Sequence, residues 1–221
     1  MYLQKTQFQN KSITSLVKQA IDNNELQPPK DRPYLAARAH FKMIDGVMQY
    51  TGDAHKDKYS EVARRLDRAI KLHGPRVKVF TQFSLSTDLL DNIISQLPEY
   101  ITSLNPEIAV QVINGGKACT PHRDHSKQCS MYYLYTEPDV RTVWWEKTMD
   151  FEEFDDLKYG DPDKLLKVHD EIIESGFWYV FNNSEFHSIH LLENKVIDRV
   201  ALLIEFSNIT ATDLCNLINN D

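Results

Sequence analysis

The stretch at residues 199–206, RVALLIEF, is apolar everywhere except Arg199 and Glu205. A strand with one wet face alternates apolar and polar residues, so a strand that is apolar at nearly every position needs cover on both faces. Barrel contents on one side and helices on the other would provide it. The rest of the chain contains both kinds of material. EIAVQVI (107–113), CSMYYLY (129–135), TVWWE (142–146) and FWYVF (177–181) read as further strands, and the break Asn114-Gly115-Gly116 ends the first of them.

The first third reads mainly as helix. Ile13, Leu16, Val17, Ala20 and Ile21 recur at helical spacing, as do Tyr59, Val62, Ala63, Leu66 and Ile70, whose run stops at Gly74-Pro75. RVKVFTQFSL (76–85) then alternates as a half-buried strand. Ser86 and Thr87 offer N-caps for a helix carrying Leu89, Leu90, Ile93, Ile94 and Leu97, ended by Pro98. Helices first and strands afterwards predict an α+β chain in which N-terminal helices buttress a β-sandwich or jelly roll. With 221 residues, 42% of them hydrophobic, the chain is long enough for one domain with a full core. We expect residues 1–105 to be mainly helical support with one or more strands, and 106–207 to be the β core. The acidic insertion EKTMDFEEFDDLKYGDPD (146–163) interrupts that core, as a lid or as a solvated excursion, and 208–221 form a C-terminal tail. Leu214, Leu217 and Ile218 there fit a short amphipathic helix.

Composition narrows the function classes. No run of eighteen apolar residues is present, and MYLQKTQFQN has the pattern of neither a signal peptide nor a presequence, so an intracellular, cytoplasmic protein with no membrane partner is expected. A net charge of −7 disfavours nucleic acid. The three cysteines, Cys119, Cys129 and Cys215, suggest neither a disulfide framework nor a thiolate zinc site.

The chemistry concentrates in TPHRDHSKQC (120–129). As H-R-D the tripeptide suggests a kinase loop, but the asparagine, the glycine-rich loop and the D-F-G that such a loop needs are missing. As H-x-D it places His122 and Asp124 on one side of an extended strand with Arg123 turned away. An imidazole with a carboxylate suits Fe(II), and one more ligand completes a facial triad with open positions. His187 and His190, in NNSEFHSIH, are candidates beyond the strand FWYVF, and His125 is a third. Twelve residues after His187 comes Arg199, inside a strand otherwise almost wholly apolar. A buried guanidinium needs a carboxylate, from a ligand or from a neighbour such as Glu205.

The order H-R-D, a long gap, FNNSEFH and then DRVALLIEF resembles the Fe(II)- and 2-oxoglutarate-dependent dioxygenases, whose double-stranded β-helix carries H-x-D, a distal histidine and a downstream arginine. The stretch around His187 looks most like the aspartyl/asparaginyl β-hydroxylase branch, although that branch often has glycine where this chain has Asp124. The resemblance covers roughly residues 107 to 207. It implies a cupin-like jelly roll with His122, Asp124 and His187 as iron ligands, and Arg199 as the anchor for the distal carboxylate of 2-oxoglutarate. It also points to Gln111 and Tyr133 as further co-substrate contacts, for which core packing is an equal reading. His187 is preferred to His190 because it follows the turn directly. The implied reaction consumes O2 and 2-oxoglutarate, releases succinate and CO2, and hydroxylates a C–H bond of a peptide side chain, a nucleobase or a small metabolite. Arg123, His125 and Trp144 or Trp145 are candidates for the mouth of the site. Two alternatives use the same residues: a cupin-like protein that binds metal or carboxylate without turnover, and a non-heme iron oxygenase that does not use 2-oxoglutarate.

Overall fold

A computed structural model describes residues 1–26, 41–44, 47–50, 80–113, 119–124, 127–136, 140–148, 165–191 and 199–220. The helix expected around Tyr59–Ile70, the first residues of RVKVFTQFSL, His125 and residues 149–163 of the acidic insertion lie outside them.

Among the described residues, eight strands follow one another in the C-terminal half: β5 (Glu107–Ile113), β6 (Cys119–His122), β7 (Cys129–Leu134), β8 (Val140–Lys147), β9 (Leu165–Glu171), β10 (Trp178–Asn182), β11 (Phe186–Leu191) and β12 (Arg199–Phe206). They sort into a sheet ordered β10-β7-β12-β5 and a second ordered β6-β11-β8-β9. Every pairing is antiparallel. Apart from the β8–β9 hairpin, successive strands thus cross between two facing sheets, as in a jelly roll. The first sheet is widened by β1 (Leu3–Lys5) beside β10 and β4 (Phe80–Phe83) beside β5. A separate hairpin pairs β2 (Phe41–Ile44) with β3 (Val47–Tyr50).

Strand parity decides what each face of the large sheet meets. Val110, Met131, Val180, Leu202, Ile204 and Phe206 point one way, into an apolar cluster shared with helices. That cluster takes Ile13 and Val17 from α1 (Lys11–Asp22), Ile93 from α2 (Thr87–Gln96), Ile101 from α3 (Glu99–Thr102), and Leu214, Cys215 and Ile218 from α4 (Ala211–Asn219). Local chemistry starts these helices: the side chains of Asn10, Ser86 and Thr210 accept from the backbone N–H three residues on. The opposite face of the sheet carries Tyr132, Leu134, Phe181, Ala201 and Leu203, which meet Trp144 of β8. RVALLIEF is buried on both faces, as its composition requires. Among the described residues no helix is long and apolar enough to cross a membrane, and the described cysteines Cys129 and Cys215 are buried free thiols.

Candidate metal centre

β6 and β11 are neighbours in the small sheet, and their register sets His122 directly opposite His187. Both are nearly buried, and their rings lie 4.3 Å apart between centroids. β6 ends at His122, so Asp124 does not owe its position to strand alternation, contrary to the sequence-based expectation. It is held by Asn183, in the turn between β10 and β11. The Asp124 N–H donates to the Asn183 carbonyl at 3.1 Å, and Asn183 Nδ2 donates to Asp124 Oδ2 at 2.5 Å. Asp124 Oδ1 is thereby left 4.0 Å from His122 Nε2.

One ligand atom from each of His122, Asp124 and His187 lies within 4.8 Å of the others, close enough for one ion between them. Two imidazoles and a carboxylate suit a first-row divalent cation such as Fe(II). His187 is also oriented from behind. Its Nδ1 is 3.0 Å from the Glu185 carbonyl, which can only accept, so Nδ1 carries the proton and Nε2 the lone pair. Phe181 meets the His187 ring edge-on at 5.0 Å. His190 sits on the same strand with its backbone opposite Arg141.

The three groups open onto a pocket between the sheets. Of the residues singled out as co-substrate contacts, Gln111 and Arg199 line it, together with Tyr132, Leu203 and Ile189. Tyr133 does not. It lies on the other face of β7, packed on Tyr135 and Trp178, because one step along a strand reverses the side chain. Its neighbour Tyr132 is the tyrosine that faces the cavity. Arg199 is 5% exposed, and its guanidinium carbon lies 5.2 Å from the Tyr132 ring centroid. Among the described residues no carboxylate pairs with it, and neither Arg199 Nε nor the Tyr132 hydroxyl has a hydrogen-bond partner. Burial holds the Tyr132 hydroxyl above its ordinary pKa, and Arg199 pulls the other way.

Glu205 is not the partner of Arg199. The two share a face of β12 but stand six residues apart, roughly 20 Å along the strand, and Glu205 Oε2 instead accepts from Gln82 Nε2 at 2.9 Å. Burial first, and then the negative charge of Asp124, push the Glu205 carboxyl up to about 7.

Of the candidates for the mouth, His125 lies outside the described residues, and none of the other three lines the cavity. Arg123 stacks over the Phe186 ring at 5.1 Å, Trp144 is fully buried in the core, and Trp145 donates to Ser188 Oγ at 2.7 Å. Sequence reasoning passes over Asn183 and Tyr132. The only signals for them are the turn NNS, in which an asparagine can bond outward from the backbone, and the parity of CSMYYL.

No family model and no curated protein matches the chain. Among solved structures it is similar to E. coli ycfD, with a TM-score of 0.42 and 13% identity over 98% of this chain and 57% of that one. It is also similar to vicilin from Corylus avellana (hazelnut), with a TM-score of 0.34 and 10% identity over 58% of this chain and 29% of that one. A third is the epimerase SnoN in complex with Fe3+, alpha ketoglutarate and nogalamycin RO, with a TM-score of 0.39 and 13% identity over 68% of this chain and 75% of that one. Likenesses this slight assign no function.

Proposed function

We propose that the protein is an Fe(II)- and 2-oxoglutarate-dependent oxygenase that hydroxylates a C–H bond of its substrate and releases succinate and CO2. The observation that carries this reading is Arg199. It is a buried guanidinium without a described carboxylate partner, beside a buried tyrosine hydroxyl without a described partner, in the cavity that holds a His/Asp/His group. A buried cation left unpaired is costly, so the site is built for an anion that arrives from outside. A dicarboxylate that chelates a metal at one end and meets a guanidinium at the other satisfies both sets of residues.

Iron and 2-oxoglutarate together supply the oxidative decarboxylation that makes O2 a hydroxylating oxidant. The chain's residues do the holding and the shielding. His122, Asp124 and His187 hold the ion, with the Glu185 carbonyl and Asn183 fixing the orientation of two of them. Arg199 would hold the far carboxylate, with the Tyr132 hydroxyl beside it as a further donor. Phe181, Ile189 and Leu203 line the same cavity with hydrocarbon, which limits water and strengthens both polar contacts.

Anaerobic titration with Fe(II) and 2-oxoglutarate tests this. A weak visible charge-transfer band is expected, and Arg199→Ala should weaken 2-oxoglutarate binding by about a hundredfold. His187→Ala should abolish iron binding while His190→Ala retains it. No band, together with no effect of Arg199→Ala, would sink the reading, and the reverse result with the two histidines would sink the ligand assignment.

A further inference from the structure

The cavity holds a second polar group that the ion and the co-substrate do not use. Glu205 is 9% exposed and lines the cavity, with its carboxyl held by Gln82. Ser130 is opposite Glu205 in the β7–β12 register, is 1% exposed, and has no hydrogen-bond partner for Oγ among the described residues. Asn183, 6% exposed, gives its amide nitrogen to the Asp124 carboxylate, which turns Oδ1 the other way. Oδ1 likewise has no described partner. The ammonium whose charge reaches Glu205 from the same end, that of Lys127, is engaged by Glu107. This end of the cavity therefore gathers acceptors, and the described cation nearest in effect, Lys127, is already paired with Glu107 and does not line the cavity.

Charge balance points the same way, and this step rests on the function proposed above. A divalent ion, a dianionic co-substrate, Asp124 and Arg199 together are neutral. Among the described residues, Glu205 is the one carboxyl group of the cavity lining left over. A buried carboxylate next to a neutral assembly is stabilised by a cation that also donates hydrogen bonds. An alcohol or amide would donate hydrogen bonds but leave the charge, and an anion would be repelled.

We propose that the substrate presents a cationic nitrogen group, an ammonium or guanidinium, to Glu205, with Ser130 Oγ and Asn183 Oδ1 as further acceptors. The C–H bond to be oxidised then lies between that group and the metal ligands. Glu205 is a specificity-determining residue in this arrangement, and Gln82 fixes its carboxyl.

The test uses protein loaded anaerobically with Fe(II) and 2-oxoglutarate, titrated with n-butylguanidinium, n-butylammonium, neutral n-pentanol and anionic pentanoate. Binding is read from the paramagnetic relaxation of the probe's own protons, which responds only to probes close to the ion, with Zn(II)-loaded protein as the diamagnetic control. The two cations should bind at least about tenfold more tightly than n-pentanol, and pentanoate should not bind. Glu205→Gln should remove that preference. Equal binding of cations and alcohol overturns the proposal, as does a preference that survives in Glu205→Gln. If that variant does not fold, the comparison of probes on the unaltered protein decides alone. Absence of the charge-transfer band before any probe is added overturns the oxygenase reading, and this proposal with it, whereas a band without cation preference overturns this proposal only.

Discussion

The two faces of β12 are made from alternate residues of one strand, yet they are finished differently. On one face Val200, Leu202, Ile204 and Phe206 meet helix side chains, hydrocarbon against hydrocarbon. On the other, Arg199, Ala201, Leu203 and Glu205 face the small sheet, with a charge at either end and hydrocarbon between. The first face is complete within the protein. The second buries polar groups at a cost to stability that folding alone does not return, which is the mark of a surface shaped for something it binds.

That contrast makes the two faces separable by substitution. Leu202→Ala, on the helix side, should lower the unfolding free energy by about 2–5 kcal/mol through the cavity it leaves. It should leave 2-oxoglutarate affinity within a few-fold, as urea denaturation and titration would report. Arg199→Met, on the other face, should leave the metal-free protein as stable or more stable while removing co-substrate binding. A large stability loss at Arg199 or a large affinity loss at Leu202 would break the contrast.

Glu205 sharpens the contrast through pH. Its carboxyl is raised from 4.5 to about 7, chiefly by burial, so the folded state holds the proton more firmly than the unfolded one. The associated stability is fully present below about pH 4.5 and is lost as the pH rises to about 7. At about 1.4 kcal/mol per unit, the loss is on the order of 3 kcal/mol. In metal-free protein, Glu205→Gln keeps a neutral group of the same shape and should lose this dependence. Its Tm relative to the unaltered chain should therefore rise between pH 5 and pH 8. A constant difference across that range would mean that the carboxyl is not buried as described.

The same alternation explains what could be read from the sequence. β5, β7, β8, β10 and β12 announce themselves because buried strands are apolar and β-branched, and H-x-D with a distal histidine and a buried arginine is a pattern of residue types. β9 is hidden: LLKVHDE opens apolar and then turns polar, since it is an edge strand with Leu166 exposed. β6 is hidden by its shortness and by Pro121. Tyr132 and Tyr133 are indistinguishable in composition, and only the register of β7 against β10 and β12 decides which one faces the cavity. The partner of Glu205, Gln82, lies 123 residues away in sequence, and no local pattern links them.

Asn183 is the finest division between completing the fold and preparing a site, because one residue does both. Its backbone ties the β10–β11 turn to Gln128 and to the Asp124 N–H, while its side chain aims the Asp124 carboxylate. Asn183→Ala removes the second role and spares the first. Stability should change by about 1 kcal/mol, while iron affinity should fall roughly 10–100-fold because the carboxylate loses its orientation. Asn183→Asp replaces the donor with a second carboxylate against Asp124, and the repulsion should turn Asp124 away and make this the worse variant for iron. Isothermal titration with Fe(II) under anaerobic conditions, alongside urea denaturation of each variant, separates the two roles. Equal losses of stability and affinity in Asn183→Ala would show that the turn, and not the side chain, positions Asp124.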